Sequence, residues 1–398
     1  MIIFSYGEKM VALICLWMIL FLFFVCVPSF YFLYLRKIST KNWNINADSN
    51  YLPSVTIMVP MHNEEKVIRL KLENLAKLVY PKEKMQILLV DDASTDGTLR
   101  EISEFSKSAL VDFTVVTSAS RQGKMKALNN ALKYATGEII IISDSDAFLS
   151  PDILLKTMPF FADCSVGALI SKEELINPKI SWVSETEKFY FDLVYGIIKL
   201  GESKIHSTIM FHGGFAAYRR SFLQKFDVEA DDTGTALDIV QRGGRTIMVP
   251  EAVSYSLEFA AWRDKFNAKV RRATQNLKTW VKCFSLLLKR KLMLPWKIAI
   301  PGIFLYLFNP IIFLLLLITT FYMMLTLPLF ALLLASMITF TLTIKRLRVI
   351  FIEVIQNHVF LLLAIIGLLT RRNIILWKTA QHSRAIITRE MLETLSLV

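Results

Sequence analysis

Two carboxylates one residue apart, Asp144 and Asp146, close the run Glu138-Ile139-Ile140-Ile141-Ile142-Ser143. A near-continuous apolar, β-branched run reads as a buried strand of a parallel sheet, and such sheets bind ligands just beyond the carboxyl ends of their strands. The two side chains therefore sit where a bound molecule would lie. On a strand end, Asp-x-Asp can offer hard oxygen ligands to a divalent cation that also holds a diphosphate. An acidic turn that merely ends the strand is the bland alternative, so the choice rests on what else reaches the same rim. Asp91 and Asp92 open the turn Asp91-Asp92-Ala93-Ser94-Thr95-Asp96-Gly97. They can accept hydrogen bonds from a base edge or a ribose, although turn and cap chemistry accounts for the same residues. Lys124 follows Arg121-Gln122-Gly123 just before a helix start. It can reach a phosphate or base there, or simply be solvated.

Holding these groups on one rim requires strands and helices in alternation. Residues 55–59 read as a strand ended by Pro60, and residues 64–78 have helical spacing with Asn63 as N-cap. Residues 86–90 and 113–117 are the next strands, with helices expected over 98–106 and 125–135. The fourth strand delivers Asp144 and Asp146. This alternation predicts an α/β domain with a mostly parallel sheet covered on both faces. Every polar motif then lies at the carboxyl end of a strand, which is the argument for an active site.

The chain as a whole is apolar enough for a membrane protein: 54% of its residues are hydrophobic and 20% charged. Residues 11–35 carry no charge and are long enough to cross a bilayer at about 1.5 Å per residue. The run exceeds a signal-peptide core and lacks a clean small-x-small cleavage site. Residues 298–344 form a second charge-free block, read as two helices in a hairpin turning near residues 319–328. A third run, 349–370, contains Glu353, Asn357 and His358, so it either spans or re-enters, with its polar residues facing a partner or a cavity. The expected order is an N-terminal transmembrane helix (1–37), a polar linker (38–53), a soluble domain (54–258), amphipathic interfacial helices (259–296), C-terminal transmembrane helices (297–370) and a basic tail (371–398).

Arg36, Lys37, Lys289, Arg290, Lys291, Lys345, Arg346 and Arg348 flank the spans and put the central region on the cytoplasmic side of a multi-pass cell-membrane protein. Three spans after that region would leave Arg371, Arg372 and Lys378 outside; a re-entrant third segment would keep them inside. The net charge of +12 belongs to clusters that meet anionic lipid headgroups, not to nucleic-acid binding. Four scattered cysteines form no disulfide framework or metal knuckle, which fits a reducing cytosol.

Four segments, Val59-Pro60-Met61-His62-Asn63-Glu64-Glu65, Val90 to Thr98, Gly123-Lys124-x-Lys126-Ala127-Leu128-Asn129 and Asp144-Ser145-Asp146-Ala147, resemble in order and spacing the motifs of family 2 glycosyltransferases with the GT-A (Rossmann-like) fold. The resemblance runs from about residue 54 to 280. The flanking spans resemble the membrane-embedded branch that includes cellulose, chitin, hyaluronan and poly-N-acetylglucosamine synthases. It implies that Pro60, His62, Glu64, Asp92 and Lys124 seat the nucleotide, with Asp91 beside them, that Asp144 contacts the nucleotide sugar, and that Asp146 ligates Mg²⁺ or Mn²⁺. Phe211-His212-Gly213-Gly214-Phe215 resembles the acceptor-side loop, and Ala230-Asp231-Asp232-Thr233-Gly234 the segment bearing the catalytic base. Asp232 is then the base, with Gly213, Gly214 and Asp231 on the acceptor side.

One departure bears on the product. Processive relatives carry Gln-x-x-Arg-Trp where this chain reads Ala268-Lys269-Val270-Arg271-Arg272. Arg271 is kept and can serve a diphosphate, but the Gln and Trp that would hold an acceptor sugar are missing. Trp262, Phe266, Leu277 and Trp280 among basic residues suit an amphipathic helix on the membrane surface. The expectation is an inverting, metal-dependent transferase moving a sugar from a nucleotide sugar, a UDP-sugar favoured, to a lipid-linked or saccharide acceptor. A processive polysaccharide synthase coupled to export is the alternative, and a non-catalytic membrane scaffold the reading from another class.

Overall fold

The computed structural model describes residues 6–107, 112–176, 188, 191–257, 262–370 and 387–398. Eight strands, β1 (Val55–Met61), β2 (Met85–Asp91), β3 (Thr114–Thr117), β4 (Ile139–Ile142), β5 (Ala147–Leu149), β6 (Val166–Leu175), β7 (Ala216–Arg219) and β8 (Arg245–Ser256), form one sheet. Its order is β3-β2-β1-β4-β7-β6-β8-β5. The first four are mutually parallel, as is the pair β6 and β8. The central strands are apolar on both faces because both faces are covered. Met58, Ile140 and Ile142 enter one buried cluster, while Ile57, Ile139 and Ile141 enter the other. A strand of this kind shows no polar alternation, so the isoleucine run was readable.

β7 runs antiparallel to both neighbours and pairs Ala216 with Ile142. Its direction has a consequence for the site. Because β7 begins beside the carboxyl end of β4, the residues before it, including Gly213 and Gly214, lie over the end of β4. The helix expected over 64–78 is shorter, Ile68–Ala76 with Val67 at the N-cap position. Asn63 does not cap it. Asn63 adopts φ 58, and its Oδ1 accepts the Thr95 N–H at 2.8 Å, so the side chain ties two rim loops together. Such side-chain-to-backbone bonds compete with helix initiation.

Among the described residues, three helices are long and apolar enough to cross a membrane: Gly7–Ser39, Trp296–Thr326 and Lys345–Leu369. The charge-free block does break, at Leu327, and Pro328 starts the next helix. That helix, Pro328–Thr343, has 16 residues, about 24 Å at 1.5 Å per residue, less than the roughly 30 Å of a bilayer core. Two polar side chains of the third run have partners within the fold. Glu353 lies 3.1 Å from the buried Lys265 ammonium, and His358 Nε2 accepts from Asn309 Nδ2 at 3.0 Å. The residues Arg371, Arg372 and Lys378 lie outside the described residues.

The long helix Trp262–Leu288 joins the α/β domain to these segments. The interfacial stretch expected from residue 259 starts in positions outside the described residues. Trp280 departs from the expectation of a membrane-surface ring. It is fully buried, stacks on Tyr306 at 5.4 Å, and lies so close to Gly302 that a Cβ there would come within 1.9 Å of its ring. It therefore fastens the long helix to the second apolar helix. At the other end of the domain, Tyr31 Oη donates to Glu202 Oε1 at 2.9 Å and Lys204 Nζ to Ser39 O at 2.7 Å, docking the first apolar helix.

Candidate active site

Three side chains distant in sequence meet at the end of β4. The Asp144 N–H donates to Gly213 O at 2.8 Å, which fixes the residue after the strand. Lys124 Nζ lies 2.8 Å from Asp144 Oδ1 and 3.4 Å from Asp232 Oδ2, so one ammonium bridges two carboxylates. Lys124 opens the helix Lys124–Ala131 directly after Gly123, whose φ of 93 only glycine adopts at low cost. Asp232 stands in the first turn of the helix Asp231–Gln241, entered through Asp231 at φ 57. Asp232 is 6% exposed, and its Oδ1 has no hydrogen-bond partner among the described residues.

The electrostatics separate the two carboxylates. Burial pushes the Asp232 carboxyl up to about 7; the Lys124 charge offsets this only in part, while Asp231 and Asp144 add to it. Burial acts on Asp144 in the same direction, but the charge and hydrogen bond of Lys124, with help from Lys71, take Asp144 below its usual range. Burial alone would lower the Lys124 ammonium; Asp144, Asp232 and Asp231 together hold it above its ordinary value. One carboxylate is thus held ionised and the other is poised near neutrality.

Asp91 and Asp92 spend much of their acceptor capacity on the protein itself. Asp91 accepts the Ser94 N–H at 3.2 and 3.3 Å, a turn contact. Asp92 accepts the Gln122 N–H at 2.8 Å and the Gly123 N–H at 2.7 Å, and His62 Nδ1 meets its carbonyl at 2.8 Å. Asp92 therefore holds the turn that aims Lys124. Four lone-pair directions per carboxylate leave room for a ligand as well. Pro60 is buried in β1, paired with Val90, and the Glu64 N–H donates to Thr98 Oγ1 at 2.8 Å beside them.

On the far side, burial and Arg272 depress the Arg271 guanidinium, while Asp231, Asp144 and Asp146 act against that, placing Arg271 within electrostatic reach of the cluster. Gln275, one turn further along the same helix, donates to Asp231 Oδ2 at 3.1 Å. Sequence reasoning did not single it out. His212 Nε2 meets Ser171 O at 3.2 Å and its ring stands edge-on to Tyr195, whose hydroxyl donates to Glu173 at 2.6 Å. This network, also unread in the sequence, sets the loop before β7. Asp146 is half-buried on the rim beyond Asp144 and is the carboxylate that could hold a divalent cation.

Gly213 and Gly214, expected on the acceptor side, also lie against the Lys124 and Asp144 pair and the end of β4. A Cβ at Gly213 would fall 2.3 Å from Asp144 Oδ2 and 2.4 Å from Lys124 Nζ. Gly214 O accepts from Ser143 Oγ at 2.9 Å. Gly213→Ala is therefore expected to push the Lys124 and Asp144 pair apart and weaken nucleotide binding about tenfold, while thermal unfolding changes little. A titration with nucleoside diphosphate measures it; unchanged affinity would mean that the pair has room to yield.

This mixed, mostly parallel sheet with its acidic rim and flanking apolar helices is the GT-A fold of glycosyltransferases carried on a membrane-type chain. Residues 56–226 match the family described as Glycosyl transferase family 2, and the chain carries a domain of that family. It is 27% identical over 235 residues to "Probable glycosyltransferase YdaM" of Bacillus subtilis, covering 56% of this chain and 56% of that protein. It is 38% identical over 131 residues to beta-monoglucosyldiacylglycerol synthase of Nostoc sp., covering 32% of this chain and 28% of that one. The chain thus spans about half or less of the length of these relatives. Among solved structures, the mannosyltransferase PcManGT from Pyrobaculum calidifontis, in complex with GDP-Man and Mn²⁺, superposes with a TM-score of 0.77 at 29% identity. That match covers 91% of this chain and 100% of the other.

Proposed function

We propose that this protein transfers one glycosyl group from a nucleotide sugar to a lipid-linked or membrane-proximal acceptor, with inversion at the anomeric carbon, at the cytoplasmic face of the membrane. The observation that carries the reading is the Lys124 ammonium held between Asp144 and Asp232. It joins a donor-side carboxylate to a buried one whose second oxygen has no hydrogen-bond partner among the described residues. In the reaction Asp232 takes the proton of the acceptor hydroxyl as that oxygen forms its bond to C1. The bond from C1 to the diphosphate oxygen breaks with its electron pair, and the nucleoside diphosphate leaves from the opposite face. Lys124 and Arg271 stand where positive charge would meet the leaving phosphates.

A divalent cation fits these residues. No group of three or more His, Cys, Asp or Glu that could hold a metal alone occurs among the described residues. Mg²⁺ and Mn²⁺ need none, since they are usually held by one or two carboxylates together with substrate phosphates. Asp146 would hold the cation, which when bound neutralises charge on the diphosphate. The GDP-Man and Mn²⁺ of the similar solved structure support this assignment.

The name of the Nostoc relative describes a glycolipid synthase, in keeping with a lipid acceptor here. Single transfer is favoured over polymer synthesis because Ala268 and Arg272 replace the acceptor-holding residues and Trp280 is packed inside the fold. The cytoplasmic orientation draws on the basic flanks of the spans. It also draws on residues 387–398, which return to the soluble domain, where Asn74 Nδ2 donates to Leu397 O at 2.9 Å. Purified protein in lipid vesicles, given a panel of GDP- and UDP-sugars, is expected to release nucleoside diphosphate with one donor and to label a lipid with one sugar. Absence of release across the panel, or a polymer ladder, counts against the reading.

A further inference from the structure

The helix Ile68–Ala76 passes beneath the Asp144-Ser145-Asp146 turn and grips it from both ends. Lys71 is wholly buried, and its ammonium donates to Ser143 Oγ at 2.7 Å and to the Ala147 carbonyl. These are the residues immediately before and after the acidic turn. Ser143 passes the contact on by donating to Gly214 O at 2.9 Å, in the loop that also anchors the Asp144 N–H. Three residues along the same helix face, Asn74 Nδ2 donates to Leu149 O at 2.9 Å and Asn74 Oδ1 accepts the Leu149 N–H at 2.8 Å. Lys71 and Asn74 together therefore template residues 143–149.

A lysine is an expensive choice for a purely structural pin. A buried ammonium is costly unless opposing charge compensates it. Burial lowers the Lys71 ammonium from its ordinary value, and the carboxylates that act against this are Asp144 and Asp146, the two acidic residues of the turn it holds. Ser143 and Ala147 could be bridged by a neutral amide at lower cost. The lysine balances, in part, two carboxylates crowded on one strand end. It does so from below, leaving their outer side to a ligand.

We propose that Lys71 is a positioning residue for glycosyl transfer, fixing both ends of the acidic turn so that Asp144 and Asp146 meet the donor diphosphate and its cation in one geometry. The inference rests on the transferase reading above and adds a residue to it. Lys71 touches no reacting atom; it acts through the turn.

The test uses the full chain in lipid nanodiscs and three proteins: wild type, Lys71→Met and Ser143→Ala. Each is titrated calorimetrically with GDP and with UDP, in saturating Mn²⁺ and in EDTA, and thermal unfolding is recorded in parallel. Wild type is expected to bind one nucleotide more tightly with Mn²⁺ than without. In Lys71→Met that Mn²⁺-dependent gain should fall about tenfold or more, the range found when groups orienting metal ligands are removed. The unfolding midpoint should hold, since replacing a buried ion by an apolar chain of similar shape is often neutral for folding. Ser143→Ala keeps the contact with Ala147 and should lose part of the gain in the same direction; it decides alone if Lys71→Met does not fold. A Mn²⁺-dependent gain left intact or enlarged in the variants removes Lys71 from the mechanism while the transferase reading stands. A wild type with no such gain for either nucleotide sinks the cation assignment and the Lys71 proposal with it.

Discussion

Asp232→Asn is expected to lower the transfer rate by at least about a hundredfold, the usual scale of a lost general base, while nucleoside diphosphate affinity stays near that of wild type. The asymmetry follows from position. Asp232 meets Lys124 through Oδ2 at 3.4 Å and leaves Oδ1 without a partner among the described residues, whereas Asp144 holds the same ammonium at 2.8 Å. The amide keeps the shape, and Asp144 keeps Lys124 in place. Steady-state rates and a calorimetric titration on one preparation separate the two effects. Donor affinity lost along with rate would move Asp232 to the binding side of the site.

The pH profile carries the same assignment. Asp232 must be ionised to accept a proton, and burial pushes its carboxyl up to about 7. The acid limb of kcat/KM should therefore lie near neutrality in the free enzyme and vanish from the residual activity of Asp232→Asn. Stability should move the opposite way. A carboxyl raised from 3.8 to about 7 in the fold contributes stability that is whole below 3.8 and is lost as pH rises through about 7. Replacing it with a neutral amide should flatten that loss.

How much of this could be read from the chain depends on the range of the interactions. The parallel strands were legible because burial on both faces makes each a local apolar run, as Ile139–Ile142 shows. The antiparallel β7 was not, since four residues, Ala216–Arg219, carry no signal of direction. Lys124, Asp144 and Asp232 were each visible in local motifs, yet nothing local states that Lys124 and Asp232, 108 residues apart, share a hydrogen bond. Lys71 shows the limit most clearly. On a helical wheel it falls within the apolar stripe of Ile68, Leu75 and Leu78, but nothing local says what its ammonium meets, and only tertiary packing puts it beneath the acidic turn. Trp280 fails in the opposite sense: among basic residues it reads as a membrane-surface ring, and the small face of Gly302 gives it a buried slot instead. Asp92 has a task that no local motif states, since the amides of Gln122 and Gly123 that it binds belong to a loop thirty residues on.

Asp146→Asn is expected to reduce transfer by about a thousandfold or more with the protein still folded. Loss of cation binding forfeits several kcal/mol of charge stabilisation on the leaving diphosphate, and each 1.4 kcal/mol is about tenfold in rate. An amide oxygen is a poor substitute for a carboxylate on a hard dication. Asp144 is not equivalent, because its carboxylate is committed to Lys124 at 2.8 Å and removing it would release Lys124 as well. The Asp146 change leaves that pair alone, so it isolates the cation. EDTA should reproduce the loss in wild type, added Mn²⁺ or Mg²⁺ should restore activity there, and neither should restore Asp146→Asn. Full turnover of wild type in EDTA would show that Lys124 and Arg271 neutralise the leaving group without a metal, and Asp146 would then be an acidic turn and nothing more.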